Sequence, residues 1–335
     1  MMRSILALLA MVAANTVCGA PGENSGAATP STSAGQGWPA KPIRFIVPFP
    51  PGSSTDAAAR VVAHRLSEAL VQQVVIDNRA GASGSIGCEI AARAAPDGYT
   101  LVLGTASTHA VAVSVNSHLR YDPLKDFSPI SLIGSAPYVL AVHPAIAANS
   151  VQELIALAKT RPGQLSYASA GNASVAHLAG ELFATMAGVK LNHVPYKSSA
   201  LSVIDVLSGR IELQFGSISP TLPHIRSGRL RALAVTGATR LTNLPDVPTV
   251  AQSGFPGYEV TLWQGILAPA FTSPAIVARL NREVTAILRA ADIKNALVAQ
   301  GIEPDPSTPI AFTTHIRNEI AKWRKVVTTA GIHAE

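Results

Sequence analysis

Three segments of this 335-residue chain carry the residue types that bind ligands, and they share one composition. They are Pro48-Phe49-Pro50-Pro51-Gly52-Ser53-Ser54-Thr55-Asp56, Gly104-Thr105-Ala106-Ser107-Thr108-His109 and Ser169-Ala170-Gly171-Asn172-Ala173-Ser174. Glycine lets a ligand approach the backbone, hydroxyls donate hydrogen bonds, and the first turn of a helix offers unpaired N–H groups at the positive end of its dipole. That set of groups suits a carboxylate or a phosphate. One helix end contributes only about 0.3–1 kcal/mol, whereas a micromolar ligand needs about 8 kcal/mol. Several charge-assisted bonds, at about 1.5–3 kcal/mol each, must therefore converge from more than one loop. Taken singly, each loop is equally well explained by ordinary helix capping. Asp56 would repel a bound anion, which suits it to pinning N–H groups of its own loop; a ligand ammonium would reverse that preference.

Signatures of catalysis are scarce. The nine histidines, at 64, 109, 118, 143, 177, 193, 224, 315 and 333, never pair at HxxxH or ExxH spacing, so neither zinc nor any other cofactor is signalled. There is no G-x-S-x-G elbow, phosphate-binding Walker loop or CxxC. The competing class is an exported hydrolase or transferase acting on an acyl or phosphoryl group through Ser107, His109 or Ser169. Gly81, Gly84 and Gly87 fall every third residue, without the G-x-G-x-x-G spacing or a following acidic residue, and suit turns before a helix better than a dinucleotide. Cys88, in an apolar-patterned segment, reads as a small buried hydrophobe.

The elements that hold these loops alternate between two periods. Ile43–Val47, Val74–Ile76, Leu101–Leu103, Val139–Val142, Leu165–Ala168, Leu191–Val194, Ile211–Phe215, Leu230–Val235 and Leu262–Leu267 are short apolar runs of the buried-strand type. Between them lie helix-period segments such as 55–70, with Ala58, Val61, Val62, Leu66, Ala69 and Leu70 on one face. This alternation predicts an α/β fold in which strand-to-helix turns line a crevice at the strands' carboxyl ends. Ser150 with Glu153 reads as a capping box; Ser273-Pro274 and Thr308-Pro309 read as caps followed by proline in the first helical position. The last two helices carry apolar stripes, Val277, Leu280, Val284, Ile287 and Leu288, then Phe312, Ile316, Ile320, Trp323 and Val327, which read as core faces.

Composition sets the outer bounds. With 48% apolar and 14% charged residues the chain is globular, and its length favours two domains. The net charge of +6 is spread thinly, with Lys322, Arg324 and Lys325 as its densest group, so nucleic acid is not an expected partner. Met1–Arg3, the apolar run Ile5–Ala14 and the small residues after it have the layout of a secretory signal peptide, residues 1–20, and are too short to cross a bilayer. Residues 21–37 read as a flexible linker rich in Gly, Ala, Ser, Thr and Pro. Cleavage after Ala20 or lipidation at Cys18 would both fit; Asn15-Thr16-Val17 makes a poor lipobox and favours cleavage. No floppy joint divides the remainder into two sequential domains.

Eight ordered motifs resemble the Bug family, the periplasmic substrate-binding receptors of tripartite tricarboxylate transporters. They are WPAKPIRFIVPFPPGSSTD (Trp38–Asp56), VIDNRAGASGSIG (Val75–Gly87), PDGYTLVL (Pro96–Leu103), YDPLKDF (Tyr121–Phe127), YASAGN (Tyr167–Asn172), HVPYK (His193–Lys197), LPHIRSGRLRALAV (Leu222–Val235) and LPDVPTV (Leu244–Val250). Together they extend the resemblance over essentially Trp38–Ile332. It implies a two-lobed, type II periplasmic binding protein of the Venus-flytrap kind, with a ligand cleft between lobes joined by two crossing strands. Residues 38–137 plus 233–335 would form lobe 1 and 138–232 lobe 2.

The resemblance further implies a monomer in the periplasm that binds a small organic carboxylate: a di- or tricarboxylate, an aromatic carboxylate or an amino acid. The partner would be membrane transporter subunits or a sensor. Carried onto this chain, the ligand-binding residues would be Gly52, Ser53, Ser54 and Asp56, then Thr105, Ser107 and Thr108, then Ser169, Ala170, Gly171 and Asn172, with Tyr196 and Lys197 on the far wall. Two departures bear on specificity: Ser53 stands where the family usually has a second glycine, and Gly216 where many relatives have Asp. The latter points away from amino acids and towards plain or aromatic carboxylates.

Overall fold

A computed structural model describes residues 37–330; the expectations for residues 1–36, Cys18 included, lie outside them. The chain opens with β1 (Ile43–Val47), α1 (Ser54–Leu70), β2 (Val74–Asn78), α2 (Ser85–Ala92) and β3 (Thr100–Thr105), followed by a π-turn over Ser107–Val111 and α3 (Ala112–Val115). Next come β4 (Phe127–Val142), α4 (Val151–Thr160), β5 (Ser166–Ser169), α5 (Val175–Ala187) and β6 (Asn192–Pro195). These lead into α6 (Ser199–Leu207), β7 (Leu213–Ser217), α7 (Ile218–Arg226) and β8 (Arg231–Val235). The chain finishes with β9 (Thr261–Pro269), α8 (Pro274–Arg289), α9 (Ala291–Ala299), β10 (Glu303–Pro304) and α10 (Pro309–Ala330).

The strands lie in the order β2-β1-β3-β9-β4-β7-β5-β6, with β8 and β10 also paired to β4. β1 is parallel to β2 and β3, and β5 is parallel to β6 and β7, whereas β9 and β4 run antiparallel to their neighbours. The two parallel groups are the ones that emit the three small-residue loops. β4 serves both: Phe127–Pro137 pairs with β9, and Tyr138–Val142 with β7 and β8. It is 16 residues long, of which sequence periodicity predicts only Val139–Val142. Pro129, Gly134, Ser135 and Pro137 interrupt its apolar pattern, and two register shifts, at Pro129/Ser131 and Leu132/Gly134, accommodate the interruption.

The chain passes between the two strand groups twice. The first passage is inside β4, at Pro137–Tyr138. The second follows β8, which stays paired to β4 through Val235, so the return runs from Thr236 to Val260. Thr236, fully buried, ties the passages together. Its hydroxyl accepts from Tyr138 N–H at 2.7 Å and donates to the Val260 carbonyl at 2.6 Å. Its backbone N–H donates to the Tyr138 carbonyl at 2.9 Å, and its carbonyl accepts from Val260 N–H at 2.8 Å.

Helices cover both faces of the first strand group. Ala58, Val62 and Leu66 of α1 and Leu280 and Val284 of α8 bury one face, and Phe312, Ile316 and Trp323 of α10 the other, so the stripes of α8 and α10 are core faces. α10 also packs on α5, which follows β5 of the second group. Its buried Glu319 accepts the indole N–H of Trp263 at 3.1 Å and of Trp323 at 2.9 Å, and pairs with Lys322 at 3.0 Å. Among the expected caps, Thr308 accepts from Ala311 N–H at 3.2 Å, whereas Ser273 makes no side-chain cap. Ser150 caps Glu153, whose carboxylate reaches back to Asn149 and not to Ser150 itself.

Thr236→Val keeps the shape of the side chain but strands a buried N–H and a buried carbonyl, which is expected to cost about 1–3 kcal/mol in denaturant unfolding. Thr236→Ser retains the hydroxyl and is expected to lose less than half of that. Equal losses in the two variants would show that the hydroxyl is not what ties the crossings.

Candidate functional site

The first loop leaves β1 and enters α1 under the control of one carboxylate. Ser53 caps the helix by accepting from Asp56 N–H at 3.2 Å. Asp56, 2% exposed, accepts from Gly52 N–H at 2.9 Å, Arg60 Nε at 2.9 Å and Asn78 Nδ2 at 2.8 Å. Burial alone would raise its pKa; the bonds from Arg60, Asn78 and Gly52 outweigh burial and hold it below the usual carboxylate value. Gly52 adopts φ +78°, a conformation open to glycine, so that its N–H can turn inward. Asp56 thus pins its own loop, and the N–H groups of Ser54 and Thr55 are the first-turn donors left without a partner among the described residues.

The second loop leaves β3 into the π-turn. Thr105 N–H donates to Thr108 Oγ1 at 3.0 Å and Thr108 N–H to Thr105 Oγ1 at 3.3 Å, so the two buried threonines brace each other. Ser107 is the hydroxyl of this loop with no partner among the described residues. His109 is fully buried against Phe127 and Tyr121, with its Nδ1 bonded to Thr108 at 2.9 Å, and burial depresses its pKa to about 3. It is therefore a packing residue and does not pair with Ser107 as a base would. Cys88 is likewise buried, its thiol pushed up to about 12.

The glycine run draws the first two loops together. A Cβ on Gly84 would lie 2.6 Å from the Thr108 methyl and 3.3 Å from the Phe49 ring, and one on Gly87 2.8 Å from Pro48 and from the Arg79 carbonyl. Only glycine lets α2 press against both loops at once. Beside Thr105, its partner in the β3–β9 ladder is Gln264, fully buried, with neither carboxamide atom bonded among the described residues. A buried donor and acceptor left unpaired is costly, and nothing in the local sequence marks Gln264 as different from a strand residue.

The third loop leaves β5 and enters α5. Ser169 Oγ lies 2.6 Å from His193 Nε2 and accepts from Gly171 N–H at 3.1 Å, and Ser174 Oγ donates to the Gly171 carbonyl at 2.7 Å. Tyr196 N–H bonds the Ser169 carbonyl at 3.1 Å, which sets the Tyr196–Lys197 segment beside the loop; the Tyr196 hydroxyl is turned to Asp205 at 2.6 Å. Lys197 and Asn172 are exposed, Ala170 half-buried. The first two loops thus form one group and the third loop with Tyr196 another, without a hydrogen bond between the groups among the described residues.

Gly216 has a structural counterpart in Gln214. An added Cβ at Gly216 would lie 2.7 Å from Gln214 Nε2 and 2.9 Å from Thr221 Oγ1. The Gln214 carboxamide fills that space, accepting from Ser202 Oγ at 3.3 Å and donating to Thr221 Oγ1 at 3.1 Å. A neutral, largely satisfied amide stands there.

Comparisons with known proteins place the chain as a whole. The sequence profile of the family described as "Tripartite tricarboxylate transporter family receptor" matches residues 58–332. BugT of Bordetella pertussis is 42% identical over 295 residues, covering 88% of this chain and 90% of that protein. An R. palustris protein solved with adipate is 40% identical, with a TM-score of 0.84, covering 89% of this chain and 100% of the other. MatC from Rhodopseudomonas palustris, solved with bound malate, is 30% identical with a TM-score of 0.79, over 87% of this chain and 100% of the other. The fold is that of a two-lobed periplasmic binding protein.

Two outcomes are expected. Gly216→Asp should cost about 1–3 kcal/mol through overpacking, and adding Gln214→Ala should return part of it; a Gly216→Asp chain as stable as wild type would mean that Gln214 yields freely. His193, lowered to about 4 mainly by burial, and His109, lowered to about 3, stay neutral in the fold, whereas in the unfolded chain they take up protons from about pH 6.5 downwards. Stability from these groups is therefore complete above about pH 6.5 and falls towards about pH 4 and then 3, as calorimetry at stepped pH should record; His193→Gln should flatten the upper part of that slope.

Proposed function

The chain belongs to the tripartite tricarboxylate transporter receptor family, and from that premise we propose that it captures a small organic carboxylate between two lobes and delivers it to a membrane transporter. Receptors of this family are solute-binding proteins and not enzymes. The observation that carries the proposal is the state of the three loops at the carboxyl ends of β1, β3 and β5. The side chains of Ser53, Asp56, Thr105, Thr108, Ser169 and Ser174 are spent within their own loops and on the residues behind them, while among the described residues the backbone donors at Ser54, Thr55, Ala170 and Asn172 and the side chains of Ser54, Thr55, Ser107 and Asn172 remain open. Open N–H groups and hydroxyls suit a carboxylate, which collects several short charge-assisted bonds.

Gly52, Ser53, Asp56, Thr105, Thr108, Ser169 and Gly171 act in this proposal by shaping the loops, and Tyr196 and Lys197 form the wall beside the third. Residues 38–137 with those after Thr236 make one lobe and 138–235 the other, closing on the ligand about the tied crossings. Adipate in a protein 40% identical and malate in one 30% identical make dicarboxylates the first class to try. The layout of residues 1–20 supports delivery to the periplasm. No helix among the described residues is long and apolar enough to cross a membrane.

Thermal unfolding of protein freed of carried-over ligand, against a panel of mono-, di- and tricarboxylates, amino acids and nicotinate, tests the proposal. A true ligand at a hundred times its Kd adds about 2.7 kcal/mol, a rise of about 4 °C for a chain of this size. Gly171, at φ +126°, has a backbone that valine avoids, so Gly171→Val should abolish the rise while the fold persists. A panel with no stabilising anion would sink the proposal.

A further inference from the structure

We propose that His177 and His193 are positioning residues for the third loop: a stacked pair of neutral imidazoles, one holding the Ala173 N–H and the other the Ser169 hydroxyl, keeps the loop in the shape that presents its backbone donors. The inference rests on the receptor function above and names what holds one of its walls in place.

The geometry converges from three elements. The two rings stack with centroids 3.8 Å apart and planes 9° off parallel, His177 from α5 and His193 from β6. Tyr167 of β5 lies against the His193 ring at 5.0 Å. His193 Nε2 meets Ser169 Oγ at 2.6 Å, and His177 Nδ1 accepts the Ala173 N–H at 3.1 Å. Between those two anchors the loop contains Gly171 at φ +126° and Ala173 at φ +54°. Ala173 is a non-glycine residue in the left-handed region, a conformation that persists only where its surroundings impose it. The bond to His177 is what imposes it here.

That bond assigns the tautomer. Nδ1 of His177 accepts, so the proton sits on Nε2, which lies 3.7 Å from Glu181 Oε1. Glu181 is in turn engaged by the Tyr167 hydroxyl at 2.6 Å. The titratable groups facing the pair are therefore Glu181 of α5 and Tyr167 of β5, together with the two rings themselves; Tyr258 lies behind Tyr167 and donates to the Ala179 carbonyl at 2.8 Å. Burial disfavours the charged form of both rings: it lowers His177 against the opposing pull of Glu181, and it lowers His193 with help from His177. A proton on His177 Nδ1 would set two donors face to face and release Ala173. A proton on His193 would leave the Ser169 bond possible but place a charge against its stacked neighbour.

Substitutions separate this role from mere packing, because Asn reproduces the position of Nδ1 and Gln that of Nε2. In ligand-free protein, amide exchange at Ala173 read by NMR should quicken about threefold to tenfold in His177→Leu, the worth of one hydrogen bond, and return towards wild type in His177→Asn. Affinity for the carboxylate that stabilises the wild type should fall by a similar factor in His177→Leu and recover in His177→Asn. It should likewise fall in His193→Asn and recover in His193→Gln. Once pH falls far enough below the ordinary histidine range to protonate the buried His177, the Ala173 protection factor should drop in the wild type and stay level in His177→Asn. Unchanged Ala173 exchange in His177→Leu, or a lowered melting temperature with unchanged affinity, overturns the assignment. Should the Leu variant not fold, His177→Gln, whose amide cannot reach the Nδ1 position, takes its place against His177→Asn, and equal Ala173 exchange in the two overturns the assignment. A wild type that binds no carboxylate refutes the receptor function, while Ala173 exchange still decides what the histidines do.

Discussion

The three small-residue loops leave two strand groups joined by chain crossings that are tied at Thr236. β4 runs unbroken from one strand group to the other, and the return strand is fastened to it by a hydroxyl that accepts from Tyr138 and donates to Val260. Both neighbouring backbones are satisfied by the same buried side chain. A floppy joint would leave the first two loops and the third without a fixed relation. The tied crossing instead joins the two groups through one buried hydrogen-bonded point.

The loops are correspondingly economical with their polar groups. Asp56, the acidic residue of the first loop, is neutralised by Arg60 and spent on Gly52 and Asn78. Thr105 and Thr108 are spent on each other, and Ser169 on His193 and Gly171. What remains open among the described residues is main-chain N–H groups together with small hydroxyls and the Asn172 amide. The positive charge of the whole protein has little part in this, since the cation at the first loop is committed to its own carboxylate. Gln264 is the exception: a buried amide with neither atom bonded among the described residues, set beside Thr105 of the second loop.

Much of this was legible along the chain. Strand and helix periods, the cap at Thr308, the apolar stripes of α8 and α10 and the three small-residue loops all depend on neighbours within a few positions, and each appears in the structure where its pattern lies. The pinning role of Asp56 was legible too, because a carboxylate at a helix start has N–H groups within reach of its own loop. Where local pattern misled, tertiary pairing was the reason. β4 is long despite its prolines and glycine because β9 lies along one part and β7 with β8 along the other, and the register shifts absorb what the residues refuse.

Residue types and their short-range spacing thus determined the α/β class, the loops and the kind of ligand they suit, since those follow from local backbone and side-chain chemistry. Only the tertiary structure decided which groups stay free. Thr236 meets Tyr138 across 98 positions, and His193 meets Ser169 across 24. Gln214 occupies the room that Gly216 vacates, and Gly84 admits the Thr108 methyl. Such pairings leave no periodic trace, because a hydrogen bond or a close contact fixes only the two groups that meet, and the chain between them can carry almost any pattern.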